Sequence, residues 1–221
     1  MTPFRASLLT LLASAGLTAS AQAQEYRVVQ TIDGREVVAQ VLESDADGFL
    51  LRVPPGRMRV PYTNLLDMQT ATQDQYRSQG RWRVWIASTA SARRGFVGAY
   101  ATVDGISVVN EDPGDIPSEA ITEATACDLD IACAAEAFAP YGQVWVVRTT
   151  LIGSEAVLET SLSGSEYTNL ERADRVDPLS VSEAVYASIG LEAPVDLGGS
   201  AMVRTEPEDG PEPETGGSDV T

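Results

Sequence analysis

Residues 124–164 read ATACDLDIACAAEAFAPYGQVWVVRTTLIGSEAVLETSLSG. The stretch holds both cysteines of the chain, a short alanine-rich helix signal, and two β-like runs around a turn. Asp128 or Asp130 can cap a helix over 131–139, because a carboxylate accepts the free amide hydrogens of a first helical turn. Pro140 and Gly142 close that helix. QVWVVRTTLIG and SEAVLETSLSG then predict a hairpin around Gly153-Ser154. A helix feeding a hairpin argues for a mixed architecture rather than an all-α or all-β one.

Working outward, RWRVWIAS predicts a strand with Trp82, Val84 and Ile86 on one face. SARRGFVGAYATVDG is ambiguous between a helix from Ser91 and a looser connection, since Gly95 and Gly98 weaken a helix. GISVVNE reads as a second strand, ended by Asp112-Pro113-Gly114. Ile116, Ala120, Ile121 and Ala124 recur at helical spacing. EYTNLERAD adds an edge strand, and Asp177-Pro178 precedes a helix that can bury Leu179, Ala184, Val185, Ala187 and Ile189. Residues 81–193 thus predict an α/β sandwich domain with helices on one face of a sheet.

Residues 25–72 differ in texture. YRVVQTI is followed by Asp33-Gly34, a strong two-residue hairpin signal. In REVVAQVLES, Val37, Ala39 and Val41 alternate with their neighbours. Asp45-Ala46-Asp47-Gly48 turns into FLLRV, Pro54-Pro55-Gly56 turns into RMRVP, and Tyr62 to Met68 supplies a fifth strand. Strands so short and evenly punctuated predict a small five-stranded β-barrel over 24–72, because closure removes exposed edges. Residues 73–80 are polar, lack an apolar stripe and read as a linker. The class of the whole is α+β.

The ends carry their own signals. Residues 1–23 combine Arg5, an apolar run from Leu8 to Leu17 and Ala21-Gln22-Ala23, the three-part layout of a secretory signal peptide. Cleavage between Ala23 and Gln24 is expected. That apolar run is far shorter than the roughly 20 residues a spanning helix needs, and no later run predicts a membrane span. Residues 194–221 are rich in glycine, proline and glutamate and predict a disordered acidic tail.

Composition excludes whole classes of chemistry. The net charge is −17, from 32 acidic and 15 basic residues. Such a field opposes nucleic acid and anionic membrane surfaces as partners. Every basic residue is arginine, and the chain has no histidine. Ser-His-Asp and Cys-His catalysis and histidine-bearing metal sites are therefore out. GxGxxG and GxxxxGK[ST] phosphate cradles are absent from the sequence. No residue set predicts a catalytic centre, a cofactor or a metal.

Cys127 and Cys133 have five residues between them. A redox pair of the thioredoxin type wants two, and Asp128 and Asp130 disfavour a thiolate. A metal clamp would lack its remaining ligands. A structural disulfide suits the oxidising compartment that an export signal implies.

Two stretches resemble known families. DGREVVAQVLESDADGFLLRVPPGRMRVPYTNLLDM is similar to the small Sm-like barrels attached to bacterial envelope proteins. The cysteine pair followed by YGQVWVVRTTLIGSEAVLETSLSG resembles the N-terminal domain of the TolB family and curli-secretion-like periplasmic domains, over Ile116 to Leu191. The chain departs from that pattern at Gln143 and Arg148. These resemblances imply a non-catalytic envelope module that binds a protein partner. The competing expectations are a glycan-active enzyme using a carboxylate pair and a cation site at Asn110, Glu111, Asp112 and Asp115. Arg52, Arg57 and Arg59 are candidates for a basic patch, and Arg93-Arg94 for an anion site.

Overall fold

The computed structural model describes residues 24–175 and 177–194. The signal-peptide expectation for 1–23 and the disorder expectation for 195–221 lie outside them. Ten strands form two five-stranded sheets among the described residues, with helices packed on the second, so the class is α+β.

The first sheet is an antiparallel set in the order β4-β3-β2-β1-β5. Its strands are β1 (Tyr26–Thr31), β2 (Glu36–Ser44), β3 (Gly48–Val53), β4 (Gly56–Pro61) and β5 (Leu65–Ala71). A 3-10 turn over Tyr62–Asn64 separates β4 from β5. Period-two alternation drives Val29, Val37, Ala39, Leu51, Val53, Met58 and Val60 to one buried face. Each valine, leucine or methionine among them contributes about 1.5–3 kcal/mol when fully buried.

The closed barrel expected over 24–72 is corrected here. No ladder joins β4 to β5 among the described residues, and the sheet is open. It has no need to close on itself. Its apolar face joins one continuous core with Val84, Ile86, Phe96, Tyr100, Trp145 and Val185 from the second sheet and its helices.

The second sheet runs β10-β9-β8-β6-β7. Its strands are β6 (Trp82–Ala87), β7 (Ile106–Val108), β8 (Val144–Ile152), β9 (Glu155–Leu162) and β10 (Thr168–Ala173). β6 lies parallel to both β7 and β8, whereas β8, β9 and β10 are antiparallel. Its helices are α2 (Ala90–Ala101), α3 (Ser118–Ala126), α4 (Ile131–Phe138) and α5 (Pro178–Ser188).

Those helices do not share one face, which corrects the second expectation. Phe96 and Tyr100 of α2 and Val185 of α5 share a core with Val84 and Ile86. Ala120 and Ala124 of α3 and Ala134 and Phe138 of α4 pack with Trp85, Ala87, Val144 and Val146. The physical reason is in the strands. Val84 to Ala87 and Val144 to Val147 are buried without interruption, as strands covered on both faces must be.

Between the sheets, α1 (Gln73–Ser78) occupies much of the segment read as a linker. Thr72 and Gln75 form a reciprocal capping box at its start. Several contacts then tie sheet to sheet. Gly105, at φ 79°, lies so close to Pro54 that an added Cβ would sit 2.8 Å from its carbonyl carbon. Glu192 N–H donates to Arg57 O at 2.7 Å, and Glu166 N–H to Asp33 O at 3.0 Å.

Candidate functional site

A cleft of about 650 Å³ lies where the two sheets meet. Glu36, Val37 and Val38 of β2 form one wall, residues 79–83 and Trp145 the back, and residues 112–115 the far rim. No single motif builds it; four separate chain segments do.

β2 explains why a cleft exists there. Its ladder with β3 begins at the Gln40–Arg52 pair and runs away from Glu36. Beyond Val53 the chain turns at Pro54-Pro55, which have no N–H to offer a neighbouring strand. The N-terminal half of β2 is therefore paired with β1 alone. Its other edge is held by two side-chain amides. Gln79 Oε1 accepts from Val38 N–H at 3.2 Å, and Gln79 Nε2 donates to Val38 O at 2.8 Å. With its amide oriented to satisfy its neighbours, Gln143 does the same at Glu36, accepting from the N–H at 3.0 Å and donating to the carbonyl at 3.2 Å.

The indole of Trp82 stacks on Trp145, centroids 5.3 Å apart and planes 15° from parallel. Arg83 crosses beneath, donating to Asp115 at 3.2 Å and to the carbonyl of Tyr141 at 2.6 Å. Glu36 accepts from Gln30 at 2.7 Å. Trp145 is itself buried, so the cleft offers the half-buried indole of Trp82 together with amides and carboxylates, in the mixture that binding sites use.

Behind it a chain of contacts crosses the junction. Trp145 meets Tyr167 edge-on at 5.0 Å, and the Arg35 guanidinium sits 4.5 Å over the Tyr167 ring. Arg35 is only 8% exposed, and it reaches both carboxylate oxygens of Asp33 at 3.2 and 3.0 Å. Burial pushes the Asp33 carboxyl up, but hydrogen bonds from Arg35, Thr31 and Asn64 outweigh it and hold its pKa at about 2. Burial raises the Tyr167 phenol. Tyr100 hydroxyl pairs with Ser188 Oγ at 2.7 Å in the core behind α5, and burial drives its phenol upward as well.

The candidates named from sequence are dispersed. Cys127 and Cys133 are bonded to each other, with Cα atoms 5.7 Å apart, joining the end of α3 to the first turn of α4. Asp130, not Asp128, caps α4, accepting from Ala132 and Cys133 amides. The four candidate cation ligands do not converge. Asn110 bonds to the Ile86 backbone, Asp112 to Gly114 N–H, and Asp115 to Arg83. Among the described residues no group of acidic or cysteine side chains is placed to hold a metal.

Arg52 and Arg57 face each other across β3 and β4, while Arg59 is drawn to Asp45 at 2.7 Å. Arg93 donates to the Ser88 carbonyl at 3.1 Å, and Arg94 is exposed. Arg148 pairs with Glu159 and reaches the Leu129 carbonyl at 3.2 Å, bracing the α3–α4 loop against the sheet. Gln24, the first described residue, accepts from the Tyr26 hydroxyl at 2.9 Å, while Ala23 lies outside the described residues. No helix among the described residues is long and apolar enough to cross a membrane.

Sequence reasoning did not find Glu36, Gln79, Trp82 or Arg83 as parts of one site. Gln143 alone left a trace, as a departure from the TolB-like pattern. No protein-family model, no curated protein and no solved structure matches this chain.

Proposed function

We propose that the chain is a non-catalytic, exported protein-binding or scaffold module of the bacterial cell envelope, periplasmic or secreted. On this reading residues 24–72 form a small Sm-like module and residues 81–193 a TolB-N-like one, with the inter-sheet cleft as the docking site. The observation that carries it is the cleft itself, where stacked indoles lie beside strand-edge groups held by replaceable side-chain amides. The Cys127–Cys133 disulfide is compatible with an oxidising compartment. The net charge of −17 disfavours nucleic acid as a partner.

The test is site-directed crosslinking in intact envelopes. A photoreactive residue replaces Ser107, which lines the cleft, or Thr122, which is exposed on α3. The expected result is one discrete protein adduct from position 107 and none from position 122. Adducts absent from both positions, or equal at both, count against the proposal. Deleting residues 195–221 in parallel shows whether the tail contributes.

A further inference from the structure

We infer that the cleft recognises its partner by strand addition: an extended peptide segment pairs with the edge of β2 at Glu36 and Val38, where no strand ladders onto it, displacing the amides of Gln79 and Gln143. The inference rests on the protein-binding reading above and names how that site works.

Glu36, Val38 and Gln40 lie two residues apart, so their N–H and C=O groups point to the same side of β2. At Gln40 the partner is β3, through Arg52. At Val38 and Glu36 the chain has already turned away, and each residue exchanges both its bonds with one glutamine side chain. A primary amide carries one carbonyl and one N–H₂, which reproduces one residue of a neighbouring strand. Two glutamines from distant segments therefore stand in for two alternate residues of an absent strand. They keep the edge satisfied without closing it, since an incoming backbone offers the same donor and acceptor in the same places.

The space for that backbone is present. The cleft of about 650 Å³ runs along Glu36 to Val38 and is backed by Trp82 and Trp145. Main-chain bonds would supply affinity, and alternate side chains of the segment would turn toward the half-buried Trp82 indole. Glu36, Asp112 and Asp115 line the same space with Arg81 and Arg83. Arg83 is already paired to Asp115, so the lining keeps an excess of one carboxylate, while the chain as a whole carries −17. The occupant is accordingly an extended segment with a net positive charge, drawn in by that field.

The experiment uses the full exported chain from Gln24 to Thr221 and a display library of random linear peptides as the probe. Selected peptides are resynthesised, and binding is followed by tryptophan fluorescence. Each peptide is then N-methylated one residue at a time. Strand addition expects binding to weaken about tenfold or more at every second residue and to hold at those between, because only alternate N–H groups face β2. Removing a competing amide through Gln79→Ala should tighten binding about tenfold or more, because its two hydrogen bonds to Val38 no longer compete with the incoming backbone. Should that variant fail to fold, Gln143→Ala gives the same reading from a different element. N-methylation without alternation, or unchanged affinity in the amide variants, overturns strand addition and leaves the protein-binding reading standing. A library that yields no binder, or only acidic ones, also overturns it. The crosslink from position 107 tests the broader reading separately.

Discussion

The Arg35 guanidinium lies 4.5 Å over the ring of Tyr167, and this contact fastens the turn between β1 and β2 to the second sheet. Arg35 also holds Asp33, which in turn accepts from Asn64 at 3.0 Å. Gly190 completes the seat: at φ 74°, an added Cβ there would lie 2.9 Å from an Arg35 nitrogen.

Removing the cation should cost more than removing the phenol oxygen. Arg35→Ala leaves the Asp33 carboxylate without its main partner and opens space beside Tyr167. We expect a loss of roughly 2–4 kcal/mol in urea unfolding. Tyr167→Phe keeps the ring under the guanidinium and loses a 3.5 Å bond to the Ser188 carbonyl and the interaction with Asn169. It should cost under about 1 kcal/mol. Equal losses in the two variants would mean that the stack does not join the sheets.

The same ion pair sets a pH dependence. Asp33 has a folded pKa of about 2, below its ordinary 3.8. Its contribution is therefore complete above about pH 3.8 and disappears as pH falls through about 2. Asp33→Asn cannot titrate, so its stability should fall less steeply than that of the parent between about pH 4 and 2. Parallel curves from equilibrium denaturation at a series of pH values would contradict this.

The disulfide should act as a staple. Cys127 and Cys133 close a short loop, and Cys127 packs partly under the α3–α4 core. Replacing both with serine should lower stability by roughly 2 kcal/mol. Partner binding should survive wherever the variant stays folded, since neither residue lines the cleft. Free thiols in native protein, detected by alkylation and mass spectrometry, would point to redox chemistry instead.

The continuous core predicts how the chain unfolds. Val29, Leu51 and Met58 of the first sheet share one buried cluster with Val84, Tyr100 and Leu158 of the second unit. Tryptophan fluorescence reports on the second unit alone, because Trp82, Trp85 and Trp145 all belong to it. A fluorophore attached at exposed Thr63 reports on the first. The two urea transitions should coincide. Separated midpoints would show two independently stable units.

Local signals in the sequence mark out most of the elements. Asp33-Gly34 turns β1 into β2, Gly153 turns β8 into β9, and Asp177-Pro178 opens α5, because turn and cap chemistry is written in adjacent residues. The fifth strand begins later than read, at Leu65 rather than Tyr62, since residues after Pro61 take one 3-10 turn first. α2 was obscured by Gly95 and Gly98. Both face open space, so the helix tolerates them. The two-sided burial of β6 and β8 is written in VWIA and VWVV, whereas an alternating pattern for β6 turns only Trp82, Val84 and Ile86 to one face. The cleft was not legible at all. Its partners, such as Gln79 with Val38 and Arg83 with Asp115, meet only through tertiary packing, which no local pattern encodes.

The parallel pairing of Arg83 to Ala87 with Val144 to Arg148 bears on the time course of assembly. The meander of β1 to β4 joins neighbours in sequence and can form as soon as its residues emerge. β6 cannot reach its partner until α2, β7, α3 and α4 have all been delivered. Until then TrpArgValTrpIleAla stands without its central neighbour, one of the most apolar strands of the chain waiting longest for cover. Long-range pairing of this kind slows folding and lengthens the exposure of sticky intermediates. The rate of acquiring structure should therefore be set by the arrival of β8, and a helper that shields β6 should raise the yield more than one that acts on the first sheet.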